Sequence, residues 1–339
     1  MITTAPTPAP PAEMSREARL TLAVASLAVL AVFLDTTVLF VAFPDIVATF
    51  DTVRPAQLSW VLNAYTIVVA ALLVPAGKFA DRLGHKRVFL FGSVLFTVAS
   101  IACGLAPSAG ILIVFRVVQA IGAATLIPSS LALLLRAFPP AKIPFAVAIW
   151  GASGAVAGAL GPTLGAVLVE AASWRWVFFI NLPIGLFTVI AGRRILNESK
   201  DDTAILPAPF GVVLIAAAAG LVSLGLVQSE SWGWADSRTV GAIVGGFVVL
   251  GLFVAHQRRT PAPALDKELF AIRNFSWGNA ATFTFGTAFT AMFFSSILFL
   301  TEVWDYSILR AGFAVAPGPA LVAVLAPFMG NLAGRIGQR

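Results

Sequence analysis

Ten apolar stretches, each of about the length that crosses a bilayer, occupy nearly the whole of this 339-residue chain. A span needs about 20 apolar residues at a rise of ~1.5 Å each. Candidates follow one another at Leu20–Phe43, Leu58–Ala76, Val88–Ala106, Ile111–Leu135 and Ile143–Val169, then at Trp176–Ile195, Phe210–Val227, Val240–Ala255, Ser276–Leu300 and Leu309–Met329. A backbone in hydrocarbon must satisfy its own hydrogen bonds, so the pattern predicts an all-α integral membrane protein. Only 11% of residues are charged and the mean hydropathy is +0.92. A soluble domain carries about 25% charged residues, so a wet globular fold is excluded.

The net charge of +6 does not point to nucleic acid, because the basic residues are confined to short connections. One set of connections carries Arg16, Arg19, Lys78, Arg82, Lys86, Arg87, Arg136, Lys142, Arg193, Arg194, Lys200, Arg258, Arg259, Lys267, Arg273, Arg335 and Arg339. The other carries Arg54, Arg175, Arg238 and Arg310. The positive-inside bias predicts a cytoplasmic N-terminus and a multi-pass chain in the cell membrane. The Pro- and Ala-rich start, residues 1–19, reads as a disordered tail. The single cysteine, Cys103, lies in an apolar span and reads as packing.

A repeat divides the chain. The basic loop GKFADRLGHKR, Gly77 to Arg87, returns in degenerate form as GNLAGRIGQR, Gly330 to Arg339. The two glycines are 253 residues apart (330 minus 77), more than six spans with short loops require. Two extra spans within 196–275, flanked by polar and Pro-bearing segments, account for the surplus. The predicted organisation is a six-helix bundle at 20–195, a linker pair at 196–275, and the first two helices of a second bundle at 276–339. On this reading the second bundle is incomplete.

Four motifs in the first half resemble the major facilitator superfamily, in particular its fourteen-span drug:proton antiporter branch. LDTTVLFVAFP, Leu34 to Pro44, resembles the LDxTxxNxALP signature; GKFADRLGHKR is similar to the GxLADRxGRKR loop. Arg116, Gln119, Gly122, Ala123, Ala124 and Pro128 follow RxxQGxGAAxxxPxS, with Ser129 next to the proline. GALGPTLGA, Gly158 to Ala166, resembles the antiporter motif GxxxGPxxGG and runs into WRWVFFINLPIG, Trp174 to Gly185. Phe40, Phe43, Ala120 and Ala166 depart from the family pattern. The resemblance implies a major facilitator-type bundle that moves small amphipathic or drug-like compounds outward in exchange for protons by alternating access. The alternatives are a non-transporting membrane fragment and a proton-coupled importer of the same fold.

Asp35 lies well inside the first apolar span, where a charge costs about 2.5–3.5 kcal/mol on insertion scales. Asp35 and Arg116 fall at similar depth from the same membrane face, which predicts that they share one cavity and that a proton on Asp35 switches their pairing; a static ion pair is the bland alternative. Gln119, one turn from Arg116, either binds substrate or orients the guanidinium. Asn63, Tyr65 and Asn181 complete a candidate polar network. The resemblance further implies that Gly77, Asp81, Arg82, Gly84, Lys86 and Arg87 latch the two halves in the outward-facing state. Gly151, Gly154, Gly158, Gly161 and Gly165, with Pro162, form one stripe on a helix face. Close backbone approach is what such a stripe permits, and it is expected to face the second half.

Phe283, Phe285, Phe289, Phe293 and Phe294 either line an aromatic pocket or meet lipid, while Trp60, Trp174, Trp176, Trp232 and Trp234 are expected at a membrane border. No HExxH, CxxC, GxSxG or P-loop pattern occurs, so no metal, cofactor or enzymatic role is predicted. The expected partners are protons, a small-molecule substrate and the lipid bilayer, without nucleic acid; substrate identity and oligomeric state are not readable.

Overall fold

The computed structural model describes residues 14–206, 208–263 and 267–336. Ten helices among them are long and apolar enough to cross a membrane. The main helix of each span, in chain order, is α1 (Arg16–Thr49), α2 (Trp60–Leu83), α3 (His85–Gly104), α4 (Ala109–Ala137), α5 (Ile143–Ala171), α6 (Asn181–Ile195), α7 (Pro209–Trp232), α8 (Ser237–Arg259), α9 (Arg273–Leu298) and α10 (Pro317–Ile336). One-turn helices precede α2 (Pro55–Leu58) and α6 (Trp176–Phe179), α9 runs into a π-turn (Phe299–Val303), and Ile308–Val315 precedes α10.

The helices outrun the hydropathy boundaries where caps and polar contacts hold their ends. Ser15 caps α1 by accepting from the Ala18 N–H at 3.0 Å, so residues 16–19, expected in a disordered tail, are its first turn. At the other end Pro44 does not stop α1, which continues to Thr49. A proline inside a spanning helix removes one donor, and neighbouring helices compensate. There Trp174 donates from Nε1 to Thr49 Oγ1 at 2.9 Å and packs edge-on against Phe178. Trp174 is therefore buried core, not membrane-border belt, whereas Trp176 and Trp234 are exposed. Likewise α9 opens at Arg273, three residues before the expected boundary at 276.

The core lies within α1–α6. Small residues let α3 and α4 touch: a Cβ on Gly122 would sit 2.7 Å from the Phe96 nitrogen and 3.0 Å from the Gly92 carbonyl oxygen. The linker helices pair the same way, Gly225 against the Thr239 carbonyl at 3.1 Å and Gly246 against the Ala218 carbonyl at 3.0 Å. That hairpin rests on α2 through α7. α10 lies along α5, where a Cβ on Gly330 would stand 2.9 Å from the Pro144 carbonyl. The apolar window of α9 buries none of its residues.

Candidate functional site

Asp35 is held where five helices meet. Its side chain and those of Arg116, Gln119, Ser100 and Asn181 are all at most 1% exposed. Arg116 reaches from α4 and donates from Nη1 to Asp35 Oδ2 at 2.5 Å. The other carboxylate oxygen, Oδ1, accepts from Gln119 Nε2 and from Asn181 Nδ2, each at 2.8 Å. Three donors from α4 and α6 fit an ionised carboxylate, which only accepts. Charge-assisted bonds of this kind are the strong ones in proteins.

The guanidinium is as fully engaged. Nε donates to the Val61 carbonyl on α2 at 3.0 Å, and Nη1 also donates to Gln119 Oε1 at 2.6 Å. Its carbon stands 4.0 Å over the Tyr65 ring and 5.8 Å from the Phe178 ring. Aromatic faces stabilise a cation electrostatically, more so away from water. Spacing explains the Gln119 contact, since residues three apart in a helix share a face. Ser100 on α3 closes the network, accepting from Gln119 Nε2 at 2.7 Å and from Asn181 Nδ2 at 3.3 Å while donating to the Phe96 carbonyl at 2.8 Å.

Asp35, Arg116, Gln119, Tyr65 and Asn181 thus converge. Asn63 does not join them: it is half-buried and donates to Ser59 Oγ at 3.3 Å within its own turn. The pair itself is buried, Asp35 at 1% and Arg116 at 0% exposure, against Val61, Tyr65 and Phe178. A separate cleft of about 340 Å³ opens between α1, α5 and α10, lined by Ser26, Leu30, Ser153, Val156, Ala323 and Pro327. Ser26 Oγ is buried there without a hydrogen-bond partner. A wider aromatic groove of about 1010 Å³ runs between α9 and the segment leading into α10, with Phe285, Phe289, Phe293 and Trp304 on its walls. Phe283 lies outside that groove, and the side chain of Phe294 is outside the described residues.

The glycine stripe divides between two neighbours. Added Cβ atoms on Gly161 and Gly165 would strike Thr37 and the Val38 carbonyl of α1, and one on Gly154 would touch the Phe33 ring. Only Gly158 borders the second half, its would-be Cβ 3.9 Å from Pro319; Gly151 meets nothing within 4 Å. The expectation that the whole stripe faces the second half is therefore corrected: the antiporter motif chiefly seats α5 on α1. Thr37 Oγ1 donates to the Ala157 carbonyl at 3.1 Å across this seam. Pro162 is buried and meets Gly312, where a Cβ would lie 3.0 Å from its ring.

The basic loop is less a loop than a kink. α2 continues through Gly77 to Leu83, and Gly84 alone turns the chain at φ +109° before α3 begins. The stretch after α6 folds back on this kink. Glu198 accepts from the backbone N–H groups of Lys86 at 3.0 Å and Arg87 at 3.2 Å, supplying an anion to the bare N-terminus of α3. His85 is buried, with Nδ1 2.7 Å from the Ser199 carbonyl and Nε2 3.0 Å from Asp81. Lys86 donates to the Arg193 carbonyl at 2.9 Å, Arg82 to the Asp202 carbonyl, and the Asp201 N–H to the Asp81 carbonyl at 2.7 Å. Thr203, through its hydroxyl and then its N–H, holds the exposed Asp201 carboxyl below the usual range.

The expected latch to the second half is thus replaced, among the described contacts, by a clasp to the segment 193–202 and, through Lys78, to the Pro263 carbonyl at 2.8 Å. In the second loop copy the side chains of Ala333, Arg335 and Ile336 and residues 337–339 lie outside the described residues. Glu198 and Ser100 were not legible as functional: one sits in a run that reads as polar linker, the other among apolar residues with no distinguishing spacing. Gly84→Ala is expected to lower unfolding stability by about 1–3 kcal/mol, because alanine disfavours that φ and its Cβ meets the Glu198 carboxylate. Thermal unfolding in detergent checks it, and an unchanged midpoint would refute the clasp.

The sequence model described as Major Facilitator Superfamily matches residues 25–339. The "Multidrug resistance protein Stp" of Mycobacterium tuberculosis is 35% identical over 327 residues, covering 96% of this chain and 61% of that protein. The "Tetracenomycin C resistance and export protein" of Streptomyces glaucescens is 33% identical over 320 residues, covering 94% and 59%. The "Multidrug export protein EmrB" of Escherichia coli K12 is 32% identical over 324 residues, covering 93% and 62%. The chain therefore spans about three fifths of the length of these relatives. Among solved structures, a POT family transporter in complex with a thioalcohol-conjugated peptide superposes with a TM-score of 0.64 at 14% identity, covering 95% of this chain and 71% of that one. A peptide transporter POT in complex with sulfate gives 0.57 at 14% identity, covering 96% and 69%. At that identity the likeness concerns the fold.

Proposed function

The chain belongs to the major facilitator superfamily, and from that premise we propose that it is the proton-coupling part of an exporter of small amphipathic compounds. The observation that carries this reading is the fully buried Asp35–Arg116 pair at 2.5 Å. Ionised, Asp35 ties α1 to α4 and, through Asn181, to α6. When Asp35 takes a proton the Coulomb attraction to Arg116 vanishes, and the guanidinium keeps only the Val61 carbonyl, Gln119 Oε1 and the Tyr65 face. A buried cation without its counter-charge is destabilising by several kcal/mol. The packed state then yields to one in which α1 and α4 separate and Arg116 gains solvent. Proton release on the other side re-forms the pair. Substrate binding that favours the ionised state exchanges compound for proton, and alternating access follows.

Several features support the substrate class and the orientation. The cleft between α1, α5 and α10 is mostly apolar with two hydroxyls, which suits a molecule with both characters. Export rather than import is favoured by the relatives at 32–35% identity, which are named as multidrug resistance and multidrug export proteins. The distribution of basic connections supports a cytoplasmic N-terminus and a cytoplasmic clasp at Gly84, with the chain multi-pass in the cell membrane. Residues 20–195 serve as the first bundle, α7 and α8 as its appended linker pair, and α9 and α10 as the opening helices of the second.

The test is transport by everted membrane vesicles from cells that express the chain. Accumulation of a fluorescent lipophilic cation is expected when the interior is made acidic, and an uncoupler is expected to abolish it. Accumulation equal to that of vesicles lacking the chain would remove the proposal.

A further inference from the structure

Two side-chain amides bind the same oxygen of Asp35, but they are not equivalent. Gln119 is engaged at both ends: Oε1 accepts from Arg116 at 2.6 Å, and Nε2 donates to Asp35 and to Ser100. Turning it over would set an NH₂ group against a guanidinium. Asn181 is engaged at one end only. Its Nδ2 donates to Asp35 at 2.8 Å and to Ser100 at 3.3 Å, while its Oδ1 is buried without any hydrogen-bond partner. An unpaired acceptor in a site at 0% exposure is unfavourable and calls for a second use.

From this asymmetry we infer that Asn181 reads the protonation state of Asp35. It donates through Nδ2 to the carboxylate and turns over to accept through Oδ1 from the acid. The inference rests on the reading that Asp35 carries the coupled proton. A proton from water bonds to Asp35 Oδ1, the Nδ2–H···Oδ1 hydrogen bond is lost, and the new O–H donates to Asn181 Oδ1. Ser100, whose hydroxyl now donates to the Phe96 carbonyl, can rotate to donate to the same oxygen. The ionisable groups facing the site are Arg116 from α4, Tyr65 from α2 and Cys103 from α3, whose thiol donates to Gln119 Oε1 at 3.8 Å. Of these, Arg116 only donates, and neither Tyr65 nor Cys103 has a hydrogen bond to Asp35 among the described contacts, whereas Asn181 already bonds Oδ1.

The place of Asn181 in the chain makes the turn consequential. It is the first residue of α6 and follows the one-turn helix that carries Phe178 beside Arg116. A change at one amide is therefore felt where α6 joins the chain that returns from α5. Asn181 is a positioning residue here, acting through Asp35.

Isotope-edited infrared spectroscopy of the full chain in lipid nanodiscs tests this without requiring transport. Asparagine carries a ¹³C label at its side-chain carbonyl, and spectra are taken across a pH titration. The Asp35 acid band, identified by its loss in Asp35→Asn, is expected to titrate together with a shift in one labelled asparagine band. That shift should vanish in Asn181→Leu. An acid band that titrates while the asparagine bands stay fixed overturns the inference and leaves the coupling role of Asp35 intact. A pH-dependent asparagine shift that persists in Asn181→Leu does the same. If no Asp35 band titrates, both readings fall. Should Asn181→Leu not fold, the labelled unsubstituted chain and Asn181→Ser decide the matter.

Discussion

Asp35→Asn is expected to reduce pH-gradient-driven accumulation in vesicles to the level of membranes without the chain. The substitution keeps an oxygen that can accept from Gln119 and Asn181, so the local shape survives. What it removes is the charge opposite Arg116, which is 0% exposed. Removing one partner of a buried pair leaves the other uncompensated, and the penalty is about 3–5 kcal/mol. The variant should therefore unfold at lower denaturant and leave Arg116 seeking solvent, the posture assigned above to the protonated protein. Replacing both partners, as Asp35→Asn with Arg116→Met, should recover most of the lost stability and none of the transport. A double variant no more stable than the single one would show that the two charges do not compensate each other. Retained coupling in Asp35→Asn would move the proton elsewhere.

Gly161→Leu is expected to be the most disruptive of three matched substitutions along α5. A Cβ at 161 falls inside the Thr37 side chain, which is itself tied across the seam to the Ala157 carbonyl. Neither atom set is the loose end of a flexible chain, so α1 and α5 must part. Overpacking of this kind costs about 1–3 kcal/mol, and more where backbone must shift. Folded protein recovered by size-exclusion chromatography should fall sharply. Gly151→Leu, with nothing within 4 Å, should leave that yield unchanged. Gly158→Leu should fold and yet slow transport, since its neighbour Pro319 belongs to α10 and the bulk would obstruct movement between the halves. Equal behaviour of the 151 and 161 variants would refute the placement of the stripe.

The contrast between these two sites shows what the sequence could reveal. The pairing of Asp35 with Arg116 was legible because an ion in an apolar span has few ways to be tolerated, and an opposite charge at matching depth is the simplest. The stripe was legible as a stripe, since spacings of three and four residues fix a face. Which helix it meets is not a property of α5 alone; it depends on where Thr37 and Pro319 arrive. Helix ends misled for a related reason. Pro44 and Gly77 read as boundaries, but tertiary contacts carry α1 to Thr49 and α2 to Leu83. Ser100 and Glu198 stayed hidden because a lone serine in an apolar helix and one acid in a polar connection look ordinary until the chain brings Asn181 and the start of α3 beside them.

The glutamate that closes the gap at the head of α3 has a mechanical corollary. By stitching the strand that leaves α6 back beneath α2 and α3, it makes the first six spans a knot-like block whose exit is already fastened. With α7 resting on α2 and Lys78 holding the Pro263 carbonyl, the fastening extends past the linker pair, so on the proposed alternating-access reading a pivot between the two bodies falls downstream of Pro263.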